Sequence, residues 1–319
     1  MDSTERSPFN AAALPPVIST VSTTMCSKSR IEAVKMKLID DLRMSGGNVD
    51  TPEAQQCLEI LQTYYAKGGI AKVDPNSLNG NWLTISKPTY SELKGKTEKG
   101  ESRYTLGRVS FDMFKPTGLE CSVQASFNQV QPIDPKNPGR SLHVPRKLMK
   151  DVNAGDCRLI VVAITLEAGQ DRKGNKVEPA DNSDNYVIPR GIHGILTTQG
   201  YFIADPSKPS RLSIWFSGGT LEVQDEVEDL EEWKRIFDMS SVPDRSPEEY
   251  ANILAAKVLL GAHVPEKMDE DGTMKFSLRR PIGGHESVFV DVVYMDEKLR
   301  IMRGHHGSGY VCIRVPDIK

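Results

Sequence analysis

Residues able to do chemistry crowd into one stretch near the carboxyl end, YMDEKLRIMRGHHGSGY, running from Tyr294 to Tyr310. It holds two acids (Asp296, Glu297), two arginines (Arg300, Arg303) and an adjacent pair, His305-His306. Neighbouring histidines diverge in an extended or tightly turned segment, whereas helical metal pairs sit at i,i+4 and a catalytic zinc needs a third ligand. Nothing nearby supplies one, so no metal and no cofactor are expected, and the pair reads as polar residues at a hairpin tip. Nucleophiles fare no better: there is no G-x-S-x-G elbow, no P-loop and no G-x-G-x-x-G after a strand. Asp269-Glu270-Asp271 precedes Gly272 as turns do, and lacks the alternating acids and terminal Glu of a calcium loop. The run DEVEDLEE, Asp225 to Glu232, puts six carboxylates in eight residues. It is either a solvated helix face or a docking surface for a basic partner.

The bulk numbers exclude several classes. In 319 residues, 26% are charged and the net charge is −3, which gives no global attraction to nucleic acid. No run of about 18 apolar residues exists, so no transmembrane helix is expected. Five scattered cysteines (Cys26, Cys57, Cys121, Cys157, Cys312) without a C-x-x-C pair argue against a zinc site or disulfide framework and read as reduced thiols. Residues 1–28 are rich in Ser and Thr, with Asp2 and Glu5 among them, and read as a disordered tail or targeting segment.

The elements that would carry any site change character along the chain. Ile31, Val34, Leu38 and Leu42 fall at helical spacing. After SGGNVD, Thr51 as N-cap and Pro52 open a second helix whose stripe is Leu58, Leu61 and Tyr65, stopped at Gly68-Gly69. This predicts an αα-hairpin over 29–69. Beyond Gly80 the period becomes 2. Leu119, Cys121, Val123, Ala125 and Phe127 alternate with polar residues, as do Val109, Phe111 and Met113. Further alternating runs follow over 157–167, 187–224 and 273–315. Nine or ten strands suit an antiparallel barrel or strongly curved sheet. Turn-rich polar loops at 132–156 and 169–186 interrupt it. So does a helical insert at 225–262, where Ser246, Pro247 and Glu249 resemble a capping box. The reading is one mainly β (α+β) domain over 29–316, with strands from 79–131 onward.

One pattern is distributed. LNGNW places Gly80 and Trp82 where helices yield to strands, and Arg303 and Arg314 stand in the last strands. A Trp at the closed end of a small barrel can be covered by a last-strand guanidinium, a cation–π contact worth about 0.5–2 kcal/mol.

FVDVVYMDEKLRIMRGHHGSGYVCIRV closely resembles the carboxyl-terminal signature of the plastid lipid-associated proteins, the fibrillins of plastoglobules. Asp291, Tyr294, Asp296, Glu297, Leu299, Arg300, Ile301, Arg303, Gly304 and Gly307 carry the match. The helix pair with TPE, followed by LNGNW, is similar to that family's amino-terminal part. The loops at 132–156 and 169–186 and the insert at 225–262 are additions to the family's shorter pattern. The resemblance implies a lipocalin-like barrel without catalysis. It would bind a lipid, isoprenoid, quinone or carotenoid and associate peripherally with plastid lipid bodies or thylakoid membranes, in the plastid. Alternation then predicts an apolar interior lined by Trp82, Val109, Phe111, Val123, Phe127 and Trp215, although Leu212, Ile214 and Phe216 on the opposite face of Trp215's strand compete for it. Two other functions remain open. A lipid-modifying enzyme would need an inward acid of perturbed pKa, Asp291 in VFVDVVY being the residue to inspect. A scaffold would capture a protein partner through its acidic insert.

Overall fold

The computed structural model describes residues 28–68, 75–131, 157–171, 173–177, 187–224, 227–237, 251, 254–263, 268–285 and 287–316. The tail before residue 28, the loop at 132–156 and the Ser246 cap lie outside these. Helix α1 (Lys28–Ser45) and helix α2 (Pro52–Lys67) form the hairpin. Gly46 and Gly47 turn the chain between them at φ 66° and 80°, the left-handed region that glycine enters without strain. Thr51 caps α2 by accepting a hydrogen bond from the Ala54 amide at 3.1 Å. A 3-10 turn (Pro75–Leu78) leads into β1 (Gly80–Thr84), and β2 (Gly95–Lys96) and β3 (Ser102–Thr105) follow. Helix α3 (Leu106–Val109) is a single turn. Four strands come next: β4 (Glu120–Gln131), β5 (Cys157–Leu166), β6 (Ile192–Ala204) and β7 (Arg211–Val223). After helix α4 (Val227–Phe237) come β8 (Ala262–His263), β9 (Met274–Gly283), β10 (Phe289–Met295), β11 (Leu299–Gly304) and β12 (Gly309–Val315).

Antiparallel pairing runs β1-β12-β11-β10-β7-β6-β5-β4, and β4 returns to β1, closing an eight-stranded barrel. The long strands β4 and β7 change partners along their length. β4 pairs with β3 over 120–123 and with β1 over 127–130; β7 pairs with β10 over 211–213 and with β9 from Trp215 onward. The short pairs β2–β3 and β8–β9 therefore extend one end of the barrel.

Helices pack on the outside. Leu38, Leu42, Leu61 and Tyr65 share a core with the outer-face residues Tyr294, Leu299, Ile301 and Val311, and the rings of Tyr65 and Tyr294 stand 5.8 Å apart. One charged residue joins that interface. Lys35, 4% exposed, donates to Asp296 Oδ2 and Glu32 Oε1, each at 2.6 Å. Asp296 also accepts from the Tyr294 hydroxyl and from the Lys298 and Leu299 amides, closing the β10–β11 turn. Helix α4 keeps an acidic face, with Glu231 exposed, and has an apolar face besides. It buries Trp233, Ile236 and Phe237 on the barrel wall, and its Asp229 is buried in an ion pair with Arg190.

Two local expectations are corrected. Residues 109–113 are not a strand: Thr105 caps α3 through the Arg108 amide, and Phe111 and Asp112 follow at φ 54° and 59°. Strand β4 carries a bulge between Val123 and Ala125. One extra residue reverses which side chains point inward, since the side-chain period is two.

Candidate ligand cavity

Inside the barrel lies a cavity of about 1070 Å³. Its wall is mostly apolar: Val123, Ile160 and Val162 from β4 and β5, Ile214 and Phe216 from β7, Phe276 and Leu278 from β9, Val290 and Met302 from β10 and β11. Scattered hydroxyls and amides (Thr84, Ser126, Asn128, Thr198) interrupt this surface. The charged lining residues, Lys87, Lys99, Glu101, Arg108 and Asp112, keep some solvent exposure and ring the mouth with His305 and His306. Phe111, 50% exposed, stacks on Phe216 at 5.4 Å across that mouth. A β-branched or bulky residue with positive φ is rare and is held there by its surroundings.

The residues expected to line the interior divide into two groups. Val109, Phe111 and Val123 do border the cavity, although the first two reach it from a turn and not from a strand. Phe127, Trp215 and Trp82 do not border it. Phe127 is opposite Leu83, which is opposite Ile313, a set on the outer face; the β4 bulge put it there. Trp215 is also outside, stacked on Tyr201 at 5.6 Å and nearly parallel, while Ile214 and Phe216 take the interior. Ile160 and Val162 lie in LIVVAITL, a run apolar on both faces, so periodicity marks it as a buried strand without telling which side chains face the cavity.

Trp82 is fully buried beneath the cavity, at the closed end of the barrel, where its Nε1 donates to the Leu78 carbonyl at 2.8 Å. Two guanidiniums lie over its ring, Arg314 at 4.3 Å and Arg300 at 4.7 Å. Arg314 is fixed by the carbonyls of Glu297, Asn79 and Ser77. Gly80 explains the G of G-x-W. Its φ is +116°, and a Cβ there would come within 2.5 Å of Arg314 Nη1. Arg303 is exposed and plays no part in this cover.

Asp291 does not enter the interior. Its carboxylate takes Arg211 Nε and Nη2 at 2.9 and 3.0 Å and Lys208 Nζ at 3.0 Å. Burial pushes its pKa up, but these cations outweigh it and hold the carboxyl below the ordinary aspartate range. Gly304 and Gly307 shape the β11–β12 hairpin, Gly307 at φ 84°. His305 and His306 sit at its tip with rings 3.8 Å apart. Among the described residues, no group of three His, Cys, Asp or Glu side chains could hold a metal ion, and no helix is long and apolar enough to cross a membrane.

One constellation escaped the sequence because its members are 72 residues apart: the Ser213 hydroxyl lies 2.8 Å from His285 Nδ1. Asp205 Oδ2 is 3.7 Å from the same nitrogen. A relay needs the acid and the nucleophile on opposite ring nitrogens. Here both address Nδ1, and Ser213 is fully buried. Asp205 is occupied by Ser207 and the Lys208 amide, so the cluster locks the β6–β7 turn.

Compared with known proteins, the chain matches no family model, no curated protein and no solved structure.

Proposed function

We propose that this protein carries a hydrophobic small molecule inside its barrel and does no chemistry on it. The observation that carries this reading is the cavity itself. Its 1070 Å³ lies just above the range of about 300–1,000 Å³ that encloses ligands of drug size. A mostly apolar wall of this extent favours an acyl, quinone, isoprenoid or carotenoid skeleton, bound by burial worth about 25 cal/mol per Å² of apolar surface. The resemblance of the carboxyl-terminal motif to plastid lipid-associated proteins extends the proposal to peripheral association with plastid lipid bodies or thylakoid membranes. That extension rests on the motif alone.

A lipid-modifying enzyme is less well supported, because its candidate acid, Asp291, is ion-paired on the outer face. A scaffold acting through the acidic insert has less support than the cavity: α4 commits Trp233, Ile236 and Phe237 to the barrel wall and offers a partner only exposed carboxylates such as Glu231. Native mass spectrometry and organic extraction of the purified protein test the proposal, and an apolar molecule should copurify. The proposal fails if none does and if saturating quinone, carotenoid and fatty acid all leave tryptophan emission and thermal stability unchanged.

A further inference from the structure

Arg300 stands on the inner face of β11 at the closed end of the barrel, 1% exposed. Its Nε and Nη2 have no hydrogen-bond partner. The titratable groups that face it are the Cys312 thiol and the Arg314 guanidinium, and neither is an anion that would balance it. Burial pulls its pKa down, yet a guanidinium in a protein does not give up its proton. A buried cation with unmade donors is among the costliest arrangements a fold can carry.

The two empty donors are not an arbitrary pair. Nε–H and Nη2–H point from one edge of the guanidinium and match the two oxygens of a carboxylate. Arg211 uses that same edge to hold both oxygens of Asp291. Arg314, by contrast, spends its nitrogens on three carbonyls. Only Arg300 keeps the carboxylate edge vacant, among these three.

Arg300 does not itself line the cavity, but the side chains next to it do. Arg300 is opposite Cys312 in register, Cys312 is opposite Thr84, and Trp82, under the guanidinium, is opposite Asn128. Thr84, Asn128 and Cys312 line the cavity, together with Met302, two residues along β11 from Arg300. We infer that the barrel takes a long-chain carboxylate head first, the head passing between Thr84, Asn128 and Cys312 at the cavity floor to accept from Arg300 Nε and Nη2, and the hydrocarbon lying between Val162, Ile214, Phe216 and Phe276. The inference rests on the carrier reading and narrows it. One uncompensated positive charge calls for a monoanion, which favours a carboxylate over a phosphate.

The test uses delipidated full-length protein titrated with oleate, methyl oleate and oleyl phosphate below their aggregation limits, read by calorimetry and tryptophan emission. Oleate should bind at least about tenfold more tightly than methyl oleate, the scale of a charge-assisted bidentate contact. Arg300→Met should bring oleate down to the methyl oleate level and leave methyl oleate unmoved, and Arg300→Lys should keep part of the preference. Equal binding of oleate and methyl oleate by the wild type overturns the inference while the carrier reading stands. Tighter binding of oleyl phosphate than of oleate overturns the carboxylate assignment. Binding of none of the three, nor of any quinone or carotenoid, sinks the carrier reading itself. Should Arg300→Met fail to fold, as circular dichroism would show, the wild-type ratio of acid to ester decides.

Discussion

At the scale of single residues, the closed end of the barrel concentrates the strongest constraints. Trp82 is wholly buried, keeps its indole N–H satisfied on Leu78 and lies under two guanidiniums. Trp82→Ala should cost about 3–5 kcal/mol, as large-to-small changes of buried aromatics do, and a chemical-denaturation midpoint close to wild type would contradict that. Gly80→Ala should cost about 1–3 kcal/mol, the price of a left-handed conformation that a side chain resists. The added methyl would also press on Arg314, which three carbonyls hold in place. The rim histidines are the opposite case. His305→Ala with His306→Ala should leave the melting temperature and ligand affinity within error, since exposed hairpin-tip residues contribute little. Both members of G-x-W were legible as a motif. The second cation was not, because Arg300 reaches Trp82 only through the β11–β12 and β12–β1 registers.

Elements are held together by polar contacts at their ends as well as by apolar faces. Lys35 of α1 reaches across to Asp296 in the β10–β11 turn, fastening the helical hairpin to the closing strands. Burial alone would raise the pKa of Asp296. The bonds from Lys35, Tyr294 and the two turn amides outweigh it, and the net pKa lies below the ordinary aspartate value of 3.8. A carboxyl whose folded pKa is depressed binds its proton more readily when unfolded. Its contribution is therefore complete above the unfolded value and is lost as pH falls through and below 3.8. Thermal stability should drop in that acid window. Asp296→Asn should be destabilised at neutral pH and show a shallower acid loss than wild type, and parallel curves for the two proteins would refute the assignment. The helices were readable from spacing and caps, and Asp296-Glu297 was readable as a turn. The Lys35–Asp296 pair joins residues 261 positions apart, and nothing local in either segment announces it.

On the scale of the whole molecule, the decisive feature is a barrel that is not filled by its own side chains. Ser126 lines the cavity on β4, directly opposite Val162. Ser126→Trp should fill part of the cavity and weaken binding of any bulky apolar ligand with little loss of stability, because existing space accepts the ring. Phe127→Trp should leave binding unchanged, since that side chain faces outward. Measured by displacement of a fluorescent fatty-acid probe, equal affinities for these two variants would show that the ligand binds elsewhere.

Period and punctuation in the sequence determined most element types: two helices, the second capped by Thr51, a change to alternation after Gly80, and the three closing strands joined at Asp296-Glu297 and at the glycine-rich HHGSG; 109–113 is the exception. These are local properties, written in side-chain spacing and turn chemistry. Which face of each strand became the interior was decided by the tertiary structure. The bulge after Val123 sends Phe127 out, and barrel closure turns Ile214 and Phe216 in and Trp215 out. A bulge shifts phase by one residue without leaving a mark in hydrophobic pattern, and a strand apolar on both faces carries no signal of which one the closed barrel will enclose. The unpaired guanidinium of Arg300 belongs to the same category, since a buried charge is defined by what surrounds it.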